Sequence, residues 1–421
     1  MKKIITLCAV MVLLAACNKD EEDPKPAPHP TQRTVIVYMS GENDLASSGF
    51  LDDDLLEMQE GSRAIPANNR LVAFVDNVSN TQKPFIIELK DGVCDTLQQY
   101  EEDFYASDPE RFASIIETIV KAYPSEEYGL VLWGHANGWL VTSDSVAQGR
   151  AAAPRKAYGA DNGSNHSYGV QRWMNITQMA RALKSLPHFA FIFADCCAMM
   201  NVEVAYELRQ ATDFLIGSPA EIPGNGAPYD VLTKDFFLQT DDFYRTIIDD
   251  YYNYYIQLYQ TASYAYDPRT SYLKGYSVPL SVVDMRYVEQ LASATRDLLQ
   301  HPDSFQTDSV PYYFQTDMPV MYDMGCLLSR ISTDEDFQRW SAALDKAVPY
   351  KVFSSRWMTI FNELKNQLLK GTFRFDEASY SGLSMFVPMS SYNFSSLYQY
   401  NTTIPSLGWY DAVGWNRFMD Y

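Results

Sequence analysis

The chain has 421 residues, 47% of them hydrophobic, with 33 Lys and Arg against 53 Asp and Glu and hence a formal charge of −20. That composition suits a folded chain with a sizeable core and excludes a largely disordered one. The acidic balance argues against nucleic acid, which is held by a basic face that displaces counterions from phosphates; six cysteines make no disulfide scaffold, and the length predicts one large α/β unit or two packed units.

Lys2 and Lys3 precede the apolar run Ile4–Ala16, which is too short to span a bilayer and reads as a secretory signal. Its end, Leu14-Ala15-Ala16-Cys17, resembles the lipobox of bacterial lipoproteins, which implies that Cys17 becomes the lipidated first residue of the mature chain. Residues 18–33 form a tether. Pro24, Pro26, Pro28 and Pro30 alternate, and proline fixes φ and lacks a donor, so this stretch joins neither helix nor sheet. The acidic run Asp20–Asp23 is similar to export signals that place lipoproteins of some Gram-negative bacteria on the outer surface; it reads equally well as a solvated spacer. The expected location is the cell envelope, with the chain lipid-anchored to the outer membrane.

From Thr34 short apolar runs alternate with amphipathic ones. Thr34–Met39 and Leu71–Asp76 are predicted strands, with a helix over Leu45–Glu60 between them. Phe85–Lys90 is a further strand, expected to be antiparallel. Pro109–Tyr123 is a helix with Phe112, Ile115, Ile116 and Ile119 on one face. Then come strand Tyr128–Trp133, helix Ile176–Leu186, strand Phe189–Ala194, helix Val202–Gln210 and strand Asp213–Gly217. This order predicts an α/β fold, a mostly parallel sheet flanked by helices, over 34–275. Beyond 276 the pattern loosens. Strands over Tyr276–Val283 and Leu383–Pro388 bracket helical stretches near 286–300, 321–331, 334–346 and 355–369, which predicts a C-terminal α+β subdomain packed on the core over 276–421.

Ligands of open parallel sheets bind beyond the carboxyl ends of the strands. Two strands end there in reactive side chains, one in His135 within Trp133–Trp139 and the other in Asp195-Cys196-Cys197. If those strands are neighbours, an imidazole and a thiol share a crevice, and an imidazole can take up a thiol proton. Gly134 and Gly138 would allow a substrate backbone to approach. A lone histidine after a strand is more often a loop residue, and a cysteine in an apolar run is usually packing. His29, His166, His188 and His301 lie in tether, polar loop or strand and helix edges. No HExxH, CxxC or GxxxxGK[ST] run occurs, which argues against zinc and P-loop chemistry. Asp52-Asp53-Asp54 reads as a solvated helix face.

Trp133-Gly134-His135-Ala136-Asn137-Gly138-Trp139 resembles the W-x-H-G-G-G-W segment of clostripain-family cysteine peptidases. Asp195-Cys196-Cys197-Ala198-Met199, followed by Glu203–Leu208, is similar to that family's D-x-C-L-M and E-V-A-Y-E-L segments. Tyr38–Leu45, Gly217–Gly224 and Ser381–Pro388 resemble further blocks in the same order. The resemblance implies a caspase-like fold and a His–Cys dyad; with the lipobox-like signal, the expected protein is a secreted, lipid-anchored cysteine endopeptidase that acts on proteins or peptides with Arg or Lys at P1. By position, His135 is the general base, Cys197 the nucleophile, and Asp195 the pocket residue that pairs with the substrate cation; Glu221 is a second acidic candidate. Strand alternation sends the two thiols to opposite sides, leaving Cys196 as packing. Backbone N–H groups of Cys197 and beside His135 would hold the oxyanion. Ala136 and Asn137 stand where the family has glycines. Members commonly activate themselves by cutting a loop between the catalytic strands, and Gln148–Gly159 offers Arg150, Arg155 and Lys156. Some depend on Ca²⁺; no EF-hand loop is present, so no cofactor or metal ligand is assigned and calcium stays open. The alternative is a non-catalytic caspase-like surface-binding lipoprotein, supported by the altered glycine loop and by a high tyrosine count, 30, able to supply aromatic contact surfaces.

Overall fold

The computed structural model describes residues 31–79, 82–141, 157–163, 171–260, 277–314, 316–354, 357, 377–378, 380–395 and 399–418. Its centre is a nine-stranded sheet. Five parallel strands occupy the middle: β1 (Thr31–Ser40), β2 (Asn69–Asp76), β5 (Ser125–Gly134), β8 (Phe189–Asp195) and β9 (Thr212–Gly217). Antiparallel pairs close both edges. One is β3 (Phe85–Lys90) with β4 (Val93–Gln99), and the other is β10 (Leu280–Asp284) with β12 (Tyr350–Val352). The order across the sheet is β12-β10-β9-β8-β5-β1-β2-β3-β4.

Alternation along each strand divides the core into two layers. Ile36 and Tyr38 of β1 and Ile192 and Ala194 of β8 face α3 (Pro109–Ala122), α4 (Ile176–Leu183) and α5 (Val202–Leu208). Val35, Val37 and Met39, with Phe191 and Phe193, face α2 (Phe50–Gly61), α6 (Tyr229–Leu232) and α7 (Phe243–Gln260). α3 starts on an Asp108 cap followed by Pro109, and buries Phe112, Ile115, Ile116 and Ile119 as its spacing predicts.

The helix expected over Leu45–Glu60 is two helices, α1 (Asp44–Ser47) and α2, separated at Gly49 with φ of 90°. The break swings α2 so that Leu51, Asp54 and Met58 face the sheet. Asp54 is therefore buried, not solvated as its neighbours Asp52 and Asp53 are.

The segment from 276 onward does not stand apart from the sheet: β10 and β12 extend it beyond β9, so hydrogen-bonded strands cross the boundary expected near 275. Helices over Val288–Leu298 and Asp334–Ala347 match the sequence pattern, while the late strand shrinks to β13 (Ser384–Met385), paired with β11 (Tyr322–Asp323). A third small sheet joins β6 (Tyr158–Asp161) to β7 (Arg172–Met174). The helix expected over 355–369 lies largely outside the described residues. Among the described residues no helix is long and apolar enough to cross a membrane.

Candidate active site

β5 ends at Gly134 and passes the chain to His135; β8 ends at Asp195, followed by Cys196 and Cys197. The two strands are parallel neighbours with Trp133 opposite Asp195, so residues 135 and 197 each stand two positions beyond that rung. Both line one cleft of ≈ 400 Å³ at the carboxyl end of the sheet, together with Asp195, Glu221, Asp44 and Trp173. All four residues expected to act on substrate thus meet in one place.

The neighbouring thiols have different surroundings. Cys196 is 1% exposed within the layer of α3, α4 and α5, and burial, reinforced by the charge of Asp195, pushes its thiol well above the usual range. Cys197 is half-buried, opens on the cleft, and accepts the Ile222 N–H on Sγ at 3.5 Å. The next residue, Ala198, has φ of 55°, a left-handed conformation that costs a non-glycine residue roughly 1 kcal/mol or more. It is pinned there because the Ala198 N–H donates to the Ala220 carbonyl at 2.9 Å and the Ala198 carbonyl accepts from Asn201 Nδ2 at 2.7 Å. Gly138 (φ of 58°) packs directly on Ala198 and Asn201, so this glycine serves the approach of the two loops to each other and does not admit substrate.

Sequence reading missed the partner of His135. Its Nε2 lies 2.7 Å from Oδ1 of Asp44, the first residue of α1, and the ring leans on Trp173 at 6.3 Å. With Asp44 ionised, Nε2 carries the proton and Nδ1 keeps its lone pair. Asp44 lies between the predicted first strand and the helix predicted from Leu45, and Trp173 lies in a stretch with no clear periodicity.

Asp195 is 3% exposed and firmly held. Tyr229 donates to Oδ2 at 2.8 Å, Tyr251 to Oδ1 at 3.4 Å, and the Ala227 N–H also donates. Burial raises its pKa to about 6, and those donors limit the rise. A Cβ on Gly226 (φ of 60°) would stand 2.8 Å from Oδ2, so only glycine leaves the carboxylate open from that side. Behind it, Asp54 accepts from Trp133 Nε1 at 2.5 Å and is pushed up to about 9 by burial and by the charge of Asp195. At neutral pH the inner carboxyl keeps its proton, while Asp195 is mostly charged and presents one unpaired negative charge to the cleft. Glu221 is also buried at the cleft wall, beside Ile222. Cys17, Arg150, Arg155 and Lys156 lie outside the described residues.

Residues 37–421 match the model of the clostripain family. The chain belongs to the clostripain family. A secreted C11 cysteine protease from Bacteroides thetaiotaomicron, solved with an irreversible peptide inhibitor, superposes with a TM-score of 0.73 at 27% identity, over 92% of this chain and 99% of that one. An inactive zymogen C11 protease from Parabacteroides distasonis gives a TM-score of 0.70 at 27% identity, over 92% and 99% of the two chains. No curated protein matches. This clostripain-family chain is a cysteine protease with the mixed α/β architecture of those structures.

Proposed function

We propose that this protease is an endopeptidase that cleaves after Arg or Lys, with Cys197 as nucleophile and His135 as its general base. The observation that carries the reading is the buried Asp195 carboxylate, held by two tyrosine hydroxyls and a backbone N–H in the cleft where Cys197 and His135 meet. An unpaired buried charge is costly, so such a pocket selects a cationic side chain, and a guanidinium can engage it with two N–H groups. His135 Nδ1 takes the Cys197 proton. The thiolate adds to the substrate carbonyl carbon, and the imidazolium then protonates the leaving amine as the C–N bond breaks. Water, deprotonated by the same ring, hydrolyses the thioester and returns the thiol. The Asn137 N–H donates to the Ala157 carbonyl at 2.9 Å, so an oxyanion donor beside His135 must be another amide of that turn.

An arginyl acyloxymethylketone probe tests the reading. Peptide mapping is expected to find one adduct, on Cys197. An adduct on Cys196, or no adduct on protein processed to its mature form, would point to a different nucleophile or to the surface-binding alternative.

Asp44 is the positioning residue in this scheme. Asp44→Ala is expected to lower kcat about tenfold with little change in KM; the carboxylate is 79% exposed, which keeps the loss well below that of a buried triad member. Asp44→Asn retains an acceptor oxygen and should recover most of the rate. Equal losses in kcat for both variants would assign Asp44 another role.

The proposal includes Cys17 as the lipid attachment to the outer membrane and self-cleavage at Arg150, Arg155 or Lys156. Support for both is the sequence: the lipobox-like Leu14–Cys17, and small residues interleaved with cations over 148–159.

A further inference from the structure

One face of α2 forms the back of the pocket that holds Asp195. Phe50, Asp54 and Glu57 follow one another at helical spacing, and each supports a different part of that pocket. The Phe50 ring lies against Gly224, where an added Cβ would stand 2.7 Å from it. Asp54 accepts from Trp133 Nε1, and Glu57 Oε2 accepts the Tyr229 N–H at 3.0 Å. Trp133 and Gly224 line the cleft, and the Tyr229 hydroxyl donates to Asp195.

A helix face turned inward is ordinarily apolar, yet this one brings two carboxyls up behind a third. Asp54 is 2% exposed and Glu57 is half-buried. Among the described residues no Lys, Arg or His forms an ion pair with Asp54, Glu57 or Asp195. Facing Asp54 are Asp195 of β8, Tyr229 of α6, and Glu57 and Asp53 of its own helix, with no cation among them. The empty pocket tolerates this grouping because Asp54 keeps its proton, which burial and then the charge of Asp195 hold on to up to a pH of about 9. The hydrogen bond to Trp133 does not by itself call for an acid, since a neutral amide oxygen would accept from the indole as well. The acid at 54 is explained by what happens when a cation enters.

We infer that Asp54 is a specificity-determining residue that acts from behind Asp195: neutral in the empty pocket, it gives up its proton to solvent when a P1 cation arrives, so that one positive charge is met by two negative ones. The inference rests on the proposed cleavage after Arg or Lys. Asp195 makes the contact, and Asp54 responds to the cation that Asp195 holds. A positive charge beside a buried carboxyl favours its ionised form, whereas a neutral P1 side chain draws out no charge. The second carboxylate therefore adds to the preference for a cation without leaving two bare charges side by side in the free enzyme.

The test uses the mature enzyme and two peptides that differ only at P1, one with Arg and one with citrulline. Arginine keeps its charge throughout the range, and citrulline has none. A proton released on binding makes affinity rise with pH until the free group itself titrates, so the ratio of kcat/KM for Arg over citrulline is expected to rise about five- to tenfold between pH 7 and pH 9. That range lies above the titration of Asp195 near pH 6. In Asp54→Asn, which keeps an acceptor for Trp133, the ratio should stay above one and be flat over the same range. A merely structural role would lower kcat/KM for both peptides alike and leave the slope of the ratio in place; a rise that survives in Asp54→Asn would overturn the inference. A high but flat ratio in the parent would overturn it too, whether or not the variant folds, while leaving the Arg or Lys specificity standing. Equal kcat/KM for the two peptides at every pH would remove that specificity and the inference together.

Discussion

Cys197→Ala is expected to abolish hydrolysis of an Arg-ended fluorogenic peptide, by at least about 10³-fold in kcat, while Cys196→Ala stays within about threefold of the parent. The contrast follows from where one step along the chain puts each sulfur. Cys196 lies on the same face of β8 as Ile192 and Ala194, sealed into the hydrophobic layer, where burial suppresses its thiolate. Its loss should register as stability, about 1 kcal/mol, and not as rate. Cys197 opens on the cleft that also holds His135, and the left-handed Ala198 turns the chain away immediately after it. The measurement is kcat for both variants beside their Tm. Activity retained by Cys197→Ala and lost by a folded Cys196→Ala would exchange the two roles.

Much of this arrangement could be read from the letters, because parallel strands buried on both faces announce themselves as short apolar runs. TVIVYM, LVAFVD and FAFIFA all lie within observed strands, and the two strands that end in His135 and in Asp195-Cys196-Cys197 are neighbours. Less legible was whatever depends on a partner far away in sequence. β4 is an exposed edge strand with no apolar alternation to reveal it. α7 is built on FYRTIIDDYYNYYIQLYQ; tyrosine is a modest helix former, and only packing of Ile247, Ile248, Tyr251 and Tyr255 against the sheet makes the pattern sensible. Asp54 looked solvated because two acidic neighbours are, yet the break at Gly49 rotates it inward beneath Trp133. Asp44 lay within a family-like block, yet nothing in the residues around it tied it to His135. The tyrosines, which had suggested a binding surface, are in many cases structural: Tyr38, Tyr158, Tyr229, Tyr251 and Tyr255 are fully buried, and Tyr229 and Tyr251 hold the Asp195 carboxylate. That weakens the support for a non-catalytic surface protein.

Asp195→Asn is expected to cut kcat/KM for an Arg-P1 peptide by about 10²–10³-fold, while a citrulline-P1 peptide, equal in shape but uncharged, changes only a few-fold. Asparagine preserves the size of the side chain: its one oxygen can take the place of Oδ2 and accept from Tyr229, while its NH₂ group in place of Oδ1 can donate to the Tyr251 hydroxyl, so the pocket keeps its form. Only the charge that matches the guanidinium disappears. The same carboxylate predicts a pH dependence. Its pKa in the folded protein is raised to about 6, chiefly by burial, so the negative charge is present above that pH and is lost as the pH falls through it. The ratio of kcat/KM for the Arg peptide over the citrulline peptide should therefore decline below pH about 6, and taking the ratio cancels any titration of the nucleophile and base that both substrates share. In Asp195→Asn the ratio should be low and flat with pH. The raised pKa also means that the folded protein binds this proton more tightly than the unfolded chain, so the ionised form costs stability at neutral pH and its removal should not unfold the protein. A ratio that stays high in Asp195→Asn would transfer cation recognition to the other buried acid of the cleft wall, Glu221, and the Glu221→Gln variant would then carry the loss.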